Sequence, residues 1–249
     1  MKLIVRADDL GISEGVNCGI VRALQARTVS CIGLMPNMLS AKHGVSLIEK
    51  YDVCLGQHTN ISLGKPLSNP KDIPSLVDKD GLFYTSHHIN QRKNDTINVQ
   101  ECEIEIEAQL QRFIELTGRK PDYFDGHAVF SKNYFIALEN NAKKYNLFYI
   151  NPMDPCWQSR YNIHSLGFVK LDNQGLYNPQ QYMSSHLVDI LNHDCSIVVF
   201  HPGYLDQYIL NHSSYTLIRP MECDFLCSQW FQEFISKNHI QIVDFRNYR

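Results

Sequence analysis

The chain has 249 residues, of which 44% are apolar and 20% charged, and its formal net charge at pH 7 is -3. This balance is typical of a folded globular protein and excludes disordered and fibrous classes. No Lys/Arg cluster with interleaved aromatic residues occurs, so we expect no nucleic-acid partner. The sequence also has no stretch of 18 apolar residues and no secretory signal pattern, so we expect no membrane partner and a cytoplasmic location.

Apolar, β-branched runs alternate with segments of helical periodicity along the whole chain. The predicted strands are Leu3–Ala7, Ser30–Met35, Val53–Gln57, Tyr123–Gly126, Phe148–Asn151, Ile197–Phe200 and Gln241–Asp244. The first predicted helix has Ser13 as its N-cap and an apolar stripe at Val16, Ile20 and Leu24. The other predicted helices are Lys42–Lys50, Gln100–Leu116, Tyr134–Tyr145, Gln180–Leu191 and Phe225–Ser236.

This alternation indicates the α/β class, with a parallel sheet and helical crossovers. No G-x-G-x-x-G follows the first strand, which disfavours a dinucleotide-binding fold. We therefore predict that residues 1–249 form a single domain, a (β/α) barrel of about seven strands. The barrel is either closed or distorted and incompletely closed. The polar segment at about 64–98 is too long for a plain connection and predicts an excursion over the barrel mouth that carries substrate contacts.

The first, third, fourth and sixth predicted strands each bring an acidic residue or a histidine to the predicted mouth. The carboxyl ends of parallel strands meet at one mouth, where functional residues gather. The residues in question are Asp8 and Asp9 at the first strand, His58 at the third, Asp125 and His127 at the fourth, and His201 at the sixth. Each residue alone is explained as a structural hydrogen-bonding group or a helix cap. Together they indicate a divalent metal site.

The adjacent carboxylates of Asp8 and Asp9 repel each other and are costly to bury, a cost that a metal ion would reduce. Consecutive side chains of a strand point to opposite faces, so we expect the two residues to take different roles. Asp9 with His58 and His127 makes a set of two imidazoles and one carboxylate. Zinc is the first choice for this set, with magnesium or another divalent ion as alternatives.

Two further clusters contain residues of the ligand type, namely Ser86–His88 and the pair Cys223 and Cys227, which would lie one helical turn apart. Histidines in a surface loop and thiols in a core explain both without a metal. The eight cysteines have no C-x-x-C spacing, which is typical of reduced core thiols in a reducing compartment.

Five short motifs occur in order between residues 7 and 204, namely ADDLG, NCGI, GQH, DGH and HPGY. Together they resemble the YdjC-like carbohydrate deacetylase family, of which the chitooligosaccharide deacetylases are the best-known type. The resemblance implies a barrel of the polysaccharide-deacetylase and glycoside-hydrolase kind. It also implies an enzyme that removes acetyl groups from N-acetylated sugars, such as a chitooligosaccharide or diacetylchitobiose, to give acetate and an amino sugar.

The resemblance further implies a role for each residue at the mouth. Asp9, His58 and His127 would bind the metal ion. Asp8 would be the general base and His201 the general acid of the hydrolysis.

The sequence departs from the family pattern after His127, where many relatives carry further histidines and this chain has residues 128–130, Ala-Val-Phe. We infer that the substrate pocket differs. Sugar rings stack their C–H faces on aromatic side chains, and an arginine can orient a carboxylate such as Asp8 or a substrate hydroxyl. The candidate substrate-binding residues are Phe130, Trp157, Tyr204 and Arg219. Ordinary core packing also explains each aromatic residue, and a solvated cation explains Arg219.

Three alternatives remain open. A metal-dependent hydrolase of the amidohydrolase type usually has a His-x-His pair on its first strand, where this chain has Asp8 and Asp9. A metal-dependent sugar isomerase should carry more carboxylates and a lysine at the mouth. A non-catalytic sugar-binding relative would not need both Asp8 and His201. We expect a small N-acetylated oligosaccharide as the partner and allow for a homodimer.

Overall fold

The computed structural model describes residues 1–248, which contain one parallel sheet of seven strands. The strands are β1 (Lys2–Leu10), β2 (Cys31–Leu34), β3 (Cys54–Thr59), β4 (Phe124–Gly126), β5 (His164–Ser165), β6 (Cys195–Phe200) and β7 (Gln241–Val243). Their order is β4-β3-β2-β1-β6-β5, and β7 pairs with the start of β1. Within residues 1–248, β4 and β5 do not pair with each other, so the sheet curls into a half-barrel. The predicted α/β barrel is confirmed in its incompletely closed form.

Eleven α-helices surround the sheet in the described part of the chain. They are α1 (Glu14–Gln25), α2 (Ala41–Ile48), α3 (Ser86–Asn90), α4 (Val99–Thr117), α5 (Lys132–Tyr145), α6 (Pro155–Tyr161), α7 (Pro179–Ser185), α8 (Leu187–Asn192), α9 (Gln207–His212), α10 (Ile218–Leu226) and α11 (Gln229–Lys237). Ser13 caps α1 by accepting a hydrogen bond from the backbone N–H of Val16, as predicted. Among residues 1–248, no helix has the length and apolar character needed to cross a membrane.

The largest difference from the predicted elements concerns the fifth strand. Residues 148–151 make a single parallel bridge, between Tyr149 and Phe124. The chain then reaches Pro152, which has no N–H group with which to extend a ladder. The fifth strand is instead β5, which pairs with Ser196 and Ile197 of β6. Two residues are too few to produce a periodic signal in the sequence.

The predicted helix Gln180–Leu191 is divided between α7 and α8, whereas the predicted helix Phe225–Ser236 covers most of α11 and only the end of α10, so residues 218–224 were not predicted as helical. The break between α7 and α8 falls at His186, and the break between α10 and α11 at Ser228, whose side chain caps the second helix. Apolar periodicity continues across both breaks, so the pattern alone does not reveal them. The short helices α3, α6 and α9 contain at most seven residues, which is too few for a clear helical period.

The strand β1 lies at the centre of the sheet and is buried from Leu3 to Leu10. It pairs with β2 near its carboxyl end, with β6 over residues 2–7 and with β7 over residues 2–4. A strand that has neighbours on both sides and no exposed face has a largely apolar sequence, and this explains why β1 could be predicted. Its two carboxylates therefore emerge in the middle of the mouth.

Candidate active site

A cavity of about 390 Å³ opens at the carboxyl ends of the strands, a size that suits a small-molecule ligand. Its lining includes all the strand-end residues singled out from the sequence, namely Asp8, Asp9, His58, Asp125, His127 and His201. Thr85 and Ser86 also line it, so the polar excursion reaches this mouth.

Both carboxylates of the first strand face the cavity. The register between β1 and β2 shifts between Ala7 and Leu10, and Asp9 has a φ of +75°, in the left-handed region. Asp and Asn adopt this conformation more readily than other non-glycine residues. The irregularity turns Asp9 towards the side that Asp8 faces. Pleating therefore does not place the two side chains on opposite faces here, and the expectation that they take different roles stays a prediction.

The three atoms of the predicted metal-binding set converge. His58 Nε2 lies 3.1 Å from His127 Nδ1 and 3.7 Å from Asp9 Oδ1, and His127 Nδ1 lies 3.2 Å from the same oxygen. Bonds of about 2.0–2.2 Å to one divalent ion place neighbouring ligand atoms about 2.8–3.6 Å apart. The two distances from His127 Nδ1 lie within this range, and the distance of 3.7 Å between His58 Nε2 and Asp9 Oδ1 is slightly longer. The donor set therefore fits a divalent ion without a large rearrangement.

Neighbouring groups orient these ligands. Asp125 Oδ1 lies 2.9 Å from His58 Nδ1, which leaves Nε2 free to face the cavity. Arg219 Nη2 donates to Asp9 Oδ2 at 2.8 Å, whereas Asp9 Oδ1 is buried and, within residues 1–248, has His127 Nδ1 at 3.2 Å but no well-aligned hydrogen bond. A buried carboxylate oxygen without a hydrogen bond is costly. A cation held between this oxygen and the two imidazoles would remove that cost.

Arginines flank both carboxylates. Arg6 binds Asp8 with two nitrogens, and Nε lies 2.7 Å from Oδ1. Burial raises the pKa of Asp8, but Arg6 and His58 outweigh it and the pKa is lowered. Burial likewise raises the pKa of Asp9, but Arg219 and neighbouring groups outweigh this effect and hold the pKa well below its usual range. Both aspartates are therefore ionised at neutral pH.

The arginine assignment from the sequence needs a correction. Arg219 was expected to orient Asp8 or a substrate hydroxyl; it binds Asp9 instead of Asp8, and its contact with a substrate hydroxyl stays a prediction. Arg6 holds Asp8, and its Nη2 also lies 2.6 Å from Asp125 Oδ2. The contact between Arg6 and Asp8 could have been predicted, because residues two apart on a strand share one face and can pair.

His201 follows β6 and its ring packs edge-on against Tyr215, with 5.2 Å between the ring centroids. Its backbone N–H donates to Glu222, a buried carboxyl that the sequence analysis missed. Burial lowers the pKa of His201 to about 4, against the opposing effect of Asp9 and Asp8. The ring is therefore neutral at pH 7 in the substrate-free protein.

Glycines permit the close packing around these residues. A Cβ atom at Gly33 on β2 would lie 2.5 Å from Asp8 Oδ1, so this position has to leave room for the carboxylate. A Cβ atom at Gly19 on α1 would lie 2.4 Å from the Cα of Gly203. The glycines of the NCGI and HPGY motifs therefore face each other, and their contact brings α1 against the loop that follows His201.

Two exposed phenylalanines meet at the cavity wall. Phe130 is 58% exposed and Phe168 is 64% exposed, and their rings form an edge-to-face pair with centroids 5.9 Å apart. Asn90 holds the first of them, since its Oδ1 accepts from the N–H of Phe130 at 2.9 Å and its Nδ2 donates to Ala128 O at 3.0 Å. The structure thus places Phe130 at the cavity and adds Phe168, which no local pattern had indicated.

Trp157 and Tyr204 do not line the cavity, which corrects their prediction as substrate-binding residues. Trp157 is buried, packs against Tyr161 and donates from Nε1 to Tyr149 O at 3.0 Å. The hydroxyl of Tyr204 accepts a hydrogen bond from Arg22 on the protein surface. Proximity to a strand end in the sequence does not determine the direction in which the chain turns.

Two groups of three metal-ligating side chains occur in the described chain, and both lie in this cavity. They are Asp9 with His58 and His127, and Asp8 with His58 and Asp125. The clusters Ser86–His88 and Cys223 with Cys227 belong to neither group.

We expect Asp125→Ala to lower the affinity for a divalent ion by about 10- to 100-fold, because His58 loses the partner that orients its ring. Calorimetric titration of the metal-free protein with zinc measures this. Asp80→Ala is the matched control, since Asp80 is exposed and pairs with Lys79 at the surface. Equal affinities for the wild type and the Asp125 variant would refute the prediction.

The fold and site define a parallel half-barrel with a metal-type cluster at its mouth, and the comparisons identify the family. The profile of the family described as YdjC-like protein matches residues 2–237. The carbohydrate deacetylase of Clostridium beijerinckii is 30% identical over 99% of this chain and 100% of that protein. Carbohydrate deacetylase 2 of Listeria innocua is 28% identical over 99% of this chain and 98% of that protein.

The chain therefore belongs to the YdjC-like carbohydrate deacetylase family, and the resemblance predicted from its motifs is confirmed. This membership argues against the amidohydrolase and sugar isomerase alternatives.

Solved structures show the same fold. A proposed cellobiose-phosphate cleavage protein of Enterococcus faecalis superimposes with a TM-score of 0.85 at 22% identity, covering 99% of this chain and 98% of that chain. A family 4 acetyl xylan esterase of Clostridium thermocellum, solved with a cobalt ion, gives a TM-score of 0.51 at 11% identity, covering 98% and 87%. The half-barrel is thus shared with polysaccharide deacetylases and related esterases.

Proposed function

We propose that this protein is a metal-dependent hydrolase that removes acetyl groups from small N-acetylated oligosaccharides. The observation that carries the proposal is the convergence of three ligand atoms, since the buried Asp9 Oδ1 lies 3.2 Å from His127 Nδ1 and 3.7 Å from His58 Nε2. The names of the curated relatives support the reaction class. The cobalt ion of the related esterase supports a divalent ion in this fold, and zinc remains our first choice.

The chemical task is to cleave an acetamide, which has a weakly electrophilic carbonyl and a poor leaving group. The bound ion, held by Asp9, His58 and His127, would supply polarisation of the carbonyl and a lowered pKa for the attacking water. Asp8 would accept the proton of that water, since its carboxylate is ionised and Arg6 fixes its orientation.

His201 would deliver a proton to the departing amine. Its ring is neutral before substrate binds, so the proton that Asp8 takes from water would return to the amine through His201. The oxygen of the attacking water thereby becomes part of acetic acid, and the amine leaves as a neutral group. The acid then ionises to acetate, and the proton that it releases is taken up by the free amine. A histidine suits this step because it gains and loses protons readily.

The substrate class rests on the walls of the cavity. Phe130 and Phe168 offer exposed apolar rings on which a sugar ring can stack its C–H face. Arg219 Nη1 is buried and forms no hydrogen bond within residues 1–248, so it is a candidate to bind a sugar hydroxyl. The cytoplasmic location and the homodimer stay predictions.

The proposed function is tested by incubating zinc-loaded protein with diacetylchitobiose and measuring free acetate, with and without chelator. We expect acetate release that chelator abolishes and added zinc restores. Protein that holds zinc by elemental analysis and releases no acetate from a panel of N-acetylated sugars would contradict the proposal and favour the non-catalytic alternative.

We expect Phe168→Ala to raise KM for diacetylchitobiose by about three- to tenfold with little change in kcat, because one stacking surface of about 0.5–1.5 kcal/mol is lost. Steady-state kinetics measures both constants. Val188→Ala is the control, since Val188 is 66% exposed and lies outside the cavity. An unchanged KM would remove Phe168 from the substrate site.

A further inference from the structure

The loop that carries His201 is held by two helices. On one side, α10 accepts two of its backbone N–H groups, that of His201 at the Glu222 carboxylate and that of Gly203 at Arg219 O, at 3.2 Å. On the other side, α1 contacts it through Gly19. The position of His201 in the cavity is therefore set largely from outside its own strand.

Two side chains of α10 reach different parts of the proposed machinery. Arg219 and Glu222 are three residues apart, which places them on the same face of the helix, and both are buried and line the cavity. Arg219 binds the Asp9 carboxylate, and Glu222 binds the backbone of His201. A single helix face thus fixes a predicted metal ligand and the predicted acid relative to each other.

The burial of Glu222 calls for an explanation, because a buried carboxyl is costly unless its oxygens are bound. Oε1 accepts from the Tyr177 hydroxyl at 2.6 Å, and Oε2 accepts from the His201 N–H. The N–H of His201 lies just beyond the end of β6 at Phe200 and needs an acceptor. Burial raises the pKa of Glu222 to about 7, and a carboxyl oxygen accepts from this N–H in the ionised and in the protonated form.

From these contacts we infer that Glu222 is a positioning residue that acts through His201. It holds the His201 backbone at a fixed place relative to Asp9, so that the imidazole meets the departing amine. This inference rests on the proposed function for its kinetic consequence, whereas the contact itself can be tested without it. Small displacements of a reacting group can lower a rate by about 100-fold.

The variants Glu222→Gln and Glu222→Met separate the hydrogen bond from packing, since Gln keeps a carbonyl acceptor and Met has similar length and no strong acceptor. We expect Glu222→Met to lower kcat for diacetylchitobiose by about 10- to 100-fold at unchanged zinc affinity, and Glu222→Gln to retain most activity. Asp224→Ala is the control on the same helix, because Asp224 is exposed and makes one surface ion pair. If Glu222→Met does not fold, Glu222→Ala takes its place.

A double-mutant cycle measures the effect of Glu222→Met on kcat in the wild type and in the His201→Ala background. It distinguishes action through His201 from a purely structural role of Glu222. If Glu222 acts through His201, Glu222→Met adds no further loss in the His201→Ala background. A loss of equal size in both backgrounds, or no loss in either, would overturn the inference. These results leave the proposed function intact, because the wild type still releases acetate.

Histidine ring signals in NMR spectra of labelled protein test the contact independently of activity. The His201 signal is identified by its absence from His201→Ala. We expect Glu222→Met to shift or broaden this signal, Glu222→Gln to change it less, and the signals of His58 and His127 to stay in place. An unmoved His201 signal in Glu222→Met would overturn the inference even if the protein were inactive on every sugar tested.

Discussion

Replacement of Asp8 by Asn is expected to lower kcat for deacetylation by about 10²- to 10⁴-fold while the protein keeps its metal ion. Asn cannot accept a proton from water, although it has nearly the same shape. Asp8 Oδ2 lies 3.8 Å from His58 Nε2, about as close as Asp9 Oδ1 at 3.7 Å. We nevertheless assign the metal to Asp9, because that carboxylate also approaches His127 within 3.2 Å.

The measurement combines acetate release with the zinc content of each purified variant. Asp9→Asn is the matched partner of Asp8→Asn, since it makes the same chemical change on the neighbouring residue. We expect it to reduce zinc binding. If Asp8→Asn loses zinc and Asp9→Asn retains it, the two roles are exchanged.

His201→Ala is expected to lower kcat for diacetylchitobiose by about 10²- to 10⁴-fold, because the amine must gain a proton in order to leave. The loss should be much smaller for 4-nitrophenyl acetate, whose phenolate departs without a proton. Zinc affinity should change little, since His201 is not a member of the metal-ligating groups. Parallel assays on the two substrates measure the difference.

A different outcome would reassign this histidine. Equal losses on the amide and the activated ester would mean that His201 stabilises the developing oxyanion or orients the substrate, since both substrates share these needs. Retained activity on the amide would exclude His201 from the chemistry altogether. The neutral state of the ring, which follows from its burial, is compatible with either hydrogen-bonding role.

The central strands and the residues at their ends could be predicted because both have local signals. A buried parallel strand is a continuous apolar run, and an ionisable residue that follows it stands out, as at Asp8 and His58. The parallel topology then brings the strand ends together without any knowledge of the helices. The metal-type cluster could be predicted for this reason, although the turn at Asp9 that completes it could not.

The residues that were missed depend on contacts between distant parts of the chain. Glu222 meets His201 across 21 residues, and Phe168 meets Phe130 from a segment without periodic pattern. Trp157 was misplaced because an aromatic residue near a strand end packs as readily into the core as against a ligand. Local patterns report burial and periodicity, and they do not report which distant segment supplies a partner.

The central position of β1 has a consequence for folding. Lys2 pairs with Cys195 of β6 and with Gln241 of β7, so the strand that carries both aspartates obtains two of its three partner strands from residues almost 200 or more positions away. Contacts of such long range slow folding and leave apolar strand edges exposed until they form. The mouth that holds both aspartates thus becomes complete only after β6 and α10 have been synthesised, and until then β1 lacks its partner along one edge.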